Sequence, residues 1–252
     1  MSIKNFSIIL LLSLLVLDVR AENLSALTAE NLIDRLTLLD APAPGLHGGA
    51  ISSGFIGSDE PQQFSGGIIG AEQPQVPPAM RELVRRGVSA LPALIAHLHD
   101  RRPTKFAVGD QGFFTWRVFS NEYGDYNIKY KKDFAGAYTV KVGDVCYAII
   151  GQIVDRPYTP VRYQPTAGLV VNSPLEAPEL IEWLRRDWGR LDADGHRAIL
   201  VSHALGTRNP RQVSAALERL RFYYPAEYAK QAADGELREA IKIFTTEKNN
   251  RK

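Results

Sequence analysis

The chain predicts a mainly α-helical protein, built from stacked αα-hairpins with a small aromatic β-hairpin or irregular insertion. Three observations carry this. Apolar residues recur at helical spacing in one segment after another, from Leu32 to Phe244. Residues suited to helix starts, such as Thr28, Pro78, Asp192 and Asn209-Pro210, stand just ahead of those segments. Aromatic residues instead crowd into Phe106 to Tyr138, which holds ten of them, including Trp116 and Phe119.

Residues 1–21 read as a cleaved secretory signal. Lys4 supplies a positive start, Phe6 to Leu17 is a twelve-residue run broken only by Ser7 and Ser13, and Val19-Arg20-Ala21 offers small residues for cleavage after Ala21. The run is short for a bilayer span, which needs about 20 apolar residues. The expectation is therefore a secreted or periplasmic protein with no transmembrane segment after signal removal.

Residues 22–40 hold a short N-terminal helix, with Thr28 as cap and Leu32, Ile33, Leu36 and Leu39 on one face. Residues 41–78 carry eight Gly and six Pro with no apolar period, and read as a flexible surface loop. From 79 to 246 the pattern suits a single helical domain with the β or irregular insertion at 106–142. Pro78 opens a helix on Met80, Leu83 and Val84 that stops at Gly87, and Ser89 is placed to cap the next, on Leu91, Leu94, Ile95 and Leu98.

The stretch LVRRGVSALPALIAHLHD, Leu83 to Asp100, resembles one helical hairpin of the HEAT-like repeat class. That resemblance implies a binding scaffold rather than a catalyst.

Within the insertion, Phe113 to Phe119 suits a strand, turned at Gly124-Asp125 and paired back through Tyr126 to Tyr130. Asp144 could cap a buried helix over Val145 to Val154, although the β-branched content equally suits a strand. Arg156 to Asn172 reads as a proline-punctuated loop. Helices then follow on Leu180 to Trp188, Ile199 to Leu205, Val213 to Leu220 and Leu237 to Phe244, before a polar tail at 247–252.

Composition bounds function only loosely. The chain carries a formal net charge of +2, and removing Lys4, Arg20 and Asp18 with the signal lowers it to +1. Neither value draws the protein globally toward nucleic acid or anionic membrane. Cys146, the one cysteine, lies in the apolar Val145 to Ile150 and reads as a buried, inert thiol.

Strong catalytic signatures are absent: no phosphate loop, no Gly-x-Ser-x-Gly elbow, no His-Glu-x-x-His. His97 and His99 would point apart on a helix, and His196 and His203 stand two turns apart, so no metal or cofactor is expected. Ser202-His203 are helix neighbours that do not face each other. Glu122 and Asp125 are not distinguished from the other acids.

Two stretches could display a binding surface. Residues 101–141 mix the aromatics with eight basic residues against four acids. Arg156 to Gly168 sets Arg, Tyr and Gln in a loop stiffened by proline. The candidate ligand-binding residues are Trp116, Tyr158, Arg162, Tyr163 and Gln164. The expected role is a helical-repeat-like exported module that binds a protein or cell-envelope component, not nucleic acid and not an enzyme. The alternative is an envelope hydrolase acting on glycan or peptide, which would show converging, perturbed polar groups in one cleft.

Overall fold

A computed structural model of the chain describes residues 23–43, 46, 54–59, 76–108, 116–119, 131–133, 137–164 and 168–249, and leaves aside the side chains of 116–119, 131–133, 163, 164, 234 and 247–249. The expected signal segment at 1–21, the expected turn at Gly124-Asp125 and the expected strand at 126–130 lie outside the described residues. The protein is mainly helical, with nine α-helices and six short strands among the described residues.

Helix α1 (Ala29–Arg35) starts where Thr28 Oγ1 accepts from the Asn31 amide at 3.2 Å, and runs on into a 3-10 turn at Leu36–Leu38. Helices α2 (Pro78–Arg85) and α3 (Leu91–Ala96) flank a 3-10 turn at Gly87–Ala90. Ser89 is not the cap expected of it. It lies inside that turn, and its hydroxyl donates to the Arg86 carbonyl at 2.8 Å. Gly87 adopts φ 57°, and a Cβ there would stand 2.9 Å from the Tyr223 ring, so this turn needs glycine on two counts.

The organising element is α4 (Val142–Val154), in which every residue is buried. A helix that is apolar all round must sit inside a protein. Val145, Ile149, Ile150 and Ile153 are all fully inaccessible, each worth about 1.5–3 kcal/mol of burial. Helices α2, α3 and α6 (Ala193–Gly206) pack around α4. Gly143 permits the closest approach, since a Cβ there would come within 2.5 Å of the Leu98 carbonyl oxygen.

Two small sheets cover the rest of this core. Strands β1 (Pro103–Val108) and β4 (Tyr138–Lys141) pair antiparallel, with Thr104, Phe106 and Val108 alternately buried along β1. The second sheet is mixed, in the order β3-β2-β6-β5. It joins β2 (Trp116–Phe119) and β3 (Lys131–Asp133) to β5 (Val161–Gln164) and β6 (Gly168–Val171), with β2 and β6 parallel and the outer pairs antiparallel. The proline-rich stretch expected as a loop thus contains two strands.

The segment 54–59 contributes buried Phe55 and Ile56, and the Ile56 amide donates to Gln152 Oε1 at 3.3 Å.

The C-terminal part is five helices. Helix α5 (Glu179–Trp188) precedes α6, whose cap Asp192 accepts from the Gly195 amide at 2.8 Å; Asn209 caps α7 (Pro210–Tyr223) by accepting from the Arg211 amide at 3.0 Å. Helices α8 (Pro225–Asp234) and α9 (Arg238–Asn249) follow, the former unforeseen because, among its described residues, none is fully buried and only Tyr228 and Ala232 pack against the neighbouring cluster. Leu200, Ala204, Ala216, Leu217, Leu220, Leu237 and Ile241 form a second apolar cluster distinct from the main core. No described helix is long and apolar enough to cross a membrane.

Candidate functional site

The two stretches singled out in the sequence meet in the mixed sheet. Gly168 pairs with Trp116 on one side and Gln164 on the other, so these three residues form one cross-strand row. The next rows are Arg117, Leu169 and Tyr163, then Val118, Val170 and Arg162. Residues more than forty positions apart are thereby aligned on adjacent strands. Four of the five candidate ligand-binding residues, Trp116, Arg162, Tyr163 and Gln164, belong to this sheet. The fifth does not. Tyr158 precedes β5, half-buried, with its ring stacked on that of Tyr147 at 4.9 Å and 10°. Its hydroxyl accepts from Trp188 Nε1 at 3.0 Å.

Two residues of the basic stretch, Arg101 and Arg102, are engaged within the protein. Arg102 forks onto Asp100 and reaches Asp34 at 2.7 Å, while Arg101 donates to the Leu175 carbonyl at 3.0 Å. Partial burial pushes the Asp100 carboxyl up, but hydrogen bonds from Arg102 prevail and hold it down at about 2. His97 lies past the end of α3, with Glu30 2.6 Å from Nε2 and Asp100 3.1 Å from Nδ1. Carboxylates on opposite ring nitrogens cannot share an ion with the imidazole. Among the described residues no group of three or more His, Cys, Asp or Glu is arranged to hold a metal.

Two polar clusters escaped the sequence reading. The first surrounds Asp144, which sits at the third position of α4 and is fully buried. Its carboxylate accepts from the Lys141 amide and the Tyr138 hydroxyl, both at 2.9 Å, and from the Ser173 hydroxyl. Burial raises its pKa, and the three donors only partly offset that. Next to it Asn172 Nδ2 donates to the Tyr147 hydroxyl at 3.2 Å.

The second cluster caps the other end of α4. Asp155 follows the helix in the left-handed region, at φ 56° and ψ 51°, which Asp tolerates better than most residues. Asp155 Oδ1 lies 3.1 Å from Arg219 Nη1, and Oδ2 lies 3.2 Å from His203 Nδ1. Burial favours the neutral acid, yet the Arg219 charge and the His203 hydrogen bond outweigh it and lower the Asp155 pKa.

Arg219, only 4% exposed, also donates through Nε to the Gln152 carbonyl at 2.7 Å. His196 Nε2 lies 2.9 Å from the Ile153 carbonyl. A helix end leaves carbonyls without partners, and here side chains from α6 and α7 supply them. Sequence spacing could show that His196 and His203 share a helix face, but not that this face meets the end of α4.

His203 has the geometry of an oriented imidazole. With Asp155 accepting from Nδ1–H, the lone pair falls on Nε2, and the side chain is 19% exposed. Such a ring can accept a proton from a bound water or hydroxyl. Helix geometry directs the adjacent Ser202 away from the ring.

A surface cavity of about 310 Å³ lies elsewhere, lined by Ser58, Asp59, Glu218, Arg221 and Phe222. Asp59 there is held by Arg85 and, at 3.5 Å, by Arg81. Comparison with protein-family models, with curated proteins and with solved structures finds no match.

Proposed function

We propose that this chain is an exported module that binds a protein or cell-envelope component along strands β2, β6 and β5. One observation carries the reading: the register aligns Trp116, Gly168 and Gln164 in a single row, with Arg162 two residues along β5. A large aromatic, an amide and a guanidinium on adjacent strands suit a partner with both apolar and hydrogen-bonding groups. The helices act as a scaffold, in the manner of HEAT-like hairpins. Successive packing of α6 on α7, α7 on α8 and α8 on α9 supports that arrangement.

The test is affinity capture from the exported fraction with the mature chain, against a Trp116→Ala, Arg162→Ala, Gln164→Ala variant, with captured material identified by mass spectrometry. Partners retained by the wild type and lost by the variant are expected. Equal capture by both proteins removes the sheet from the proposal. N-terminal sequencing of the exported protein checks cleavage after Ala21.

The His203–Asp155 pair favours a second reading, an envelope hydrolase in which His203 activates water. Glycan or peptide release by the wild type, lost in His203→Gln, would establish it in place of the first.

A further inference from the structure

The C-terminal helices meet the body of the protein through a seam whose polar contacts include two histidines. The main core and the C-terminal apolar cluster are separate, and Tyr223 packs against both. Across the seam, His196 reaches Ile153 O, Arg219 reaches Gln152 O and Asp155, and His203 reaches Asp155. The Tyr223 hydroxyl donates to the Val84 carbonyl.

His196 is the one of these groups that is fully inaccessible and built for a neutral ring. The Ile153 carbonyl can only accept, so Nε2 carries the hydrogen. Nδ1, 2.9 Å from the Tyr224 hydroxyl, is then the acceptor. Both nitrogens are satisfied in the neutral ring, and a second proton, on Nδ1, would oblige the Tyr224 hydroxyl to turn and accept from a fully buried ring.

We propose that His196 is an acid-operated latch: neutral, it holds helices α6–α9 to the body, and on taking a second proton it releases them. The surroundings oppose that proton. Arg219 on α7 faces the ring, as does the rest of the ion cluster, His203 on α6 and Asp155 at the end of α4. Tyr223 and Tyr224 meet it edge-on at 5.3 and 5.5 Å, and the charges of Arg197, Asp194 and Asp192 act on the Tyr224 hydroxyl. The Asp155 charge favours the proton, but Asp155 is shared with Arg219 and His203 and does not outweigh burial.

Burial, and after it the Arg219 charge, depresses the His196 pKa below its ordinary 6.5, although the Ile153 carbonyl pulls the other way. A base with a depressed folded pKa adds stability that is complete above 6.5 and is lost as pH falls from there toward the folded value. Within that window the opening constant of the seam rises by up to about tenfold per pH unit, the limit for one proton.

Hydrogen exchange of the whole protein from about pH 7.5 to about pH 5, corrected for intrinsic rates, reads the seam directly. Amides of α6–α9 should lose protection as pH falls below 6.5 while those of α4 keep theirs. His196→Gln retains an N–H for Ile153 and cannot titrate, so its α6–α9 protection should be independent of pH over this range. Tyr224→Phe removes the hydrogen bond that stabilises the neutral ring, and should move release to higher pH. Should His196→Gln fail to fold, the Tyr224→Phe shift and an NMR titration of the His196 ring decide. A ring that titrates at or above 6.5 overturns the latch. Loss of protection equally across the chain does so too, as does a pH dependence that survives His196→Gln but vanishes in His203→Gln.

Discussion

Replacing Arg219 by Met keeps most of the aliphatic packing but removes the donors that the Gln152 carbonyl and Asp155 Oδ1 receive from it, leaving those of His196 and His203 in place. Arg219 is 5% exposed at its side chain and Asp155 is 12% exposed, so the pair is largely out of water. Removing one member of a buried pair costs about 3–5 kcal/mol, and the residual exposure of Asp155 places this case near 3. The Gln152 carbonyl, orphaned in the same step, adds about 1 kcal/mol. Arg219→Met should therefore lose about 4 kcal/mol, or about 10 °C in Tm for a chain of this length.

Asp155→Asn removes the charge that would be stranded, so the double variant should recover about 2 kcal/mol relative to the sum of the singles. Urea unfolding of the wild type, both singles and the double at about pH 7.5 closes the cycle. A single-variant loss below about 1 kcal/mol, the scale of an exposed ion pair, would refute the assignment of Arg219 as the cap of α4. So would additivity within about 0.5 kcal/mol.

Asp144→Ala leaves the Lys141 amide and the Tyr138 and Ser173 hydroxyls without their acceptor and should cost about 2–4 kcal/mol by urea unfolding. Because the Asp144 pKa is raised above its ordinary 3.8, its ionisation destabilises the fold as pH rises through the folded value. The stability advantage of wild type over Asp144→Asn should thus shrink with rising pH; an advantage that grows instead contradicts the burial argument. Gly143→Ala sets a Cβ against the backbone carbonyls of Leu98 and Asp100 and should lower stability by about 2 kcal/mol in the same assay. Cys146 is fully inaccessible, and burial pushes its thiol well up. Its reaction with a thiol reagent at about pH 8 should need denaturant, and rapid labelling of the folded protein would refute this.

Local signals were legible at most helix starts, Ser89 being an exception. Thr28, Asp192 and Asn209 cap the helices they precede, because a cap is a contact within three residues. The strands β5 and β6 were not legible, since Pro157, Pro160 and Pro165 punctuate a run too short to show alternation. Helix α8 failed for the opposite reason: of its described residues it sets only Tyr228 and Ala232, both partly buried, against the second apolar cluster, too few to mark a stripe. The candidate binding residues were legible as two separate stretches. Nothing in either stretch indicated that Trp116 and Gln164 would flank the same glycine.

By itself, then, the chain determined its mainly helical character, most helix starts and the burial of Cys146, all set by spacing and local hydrogen bonding. Tertiary structure alone decided that Asp155, His203 and Arg219 meet, that His196 closes the end of α4, and that β2 and β5 stand either side of β6. Those contacts join residues tens of positions apart, through carbonyls and carboxylates whose partners come only with packing. No periodicity encodes them, because a helix face records that it will be buried and not what will bury it.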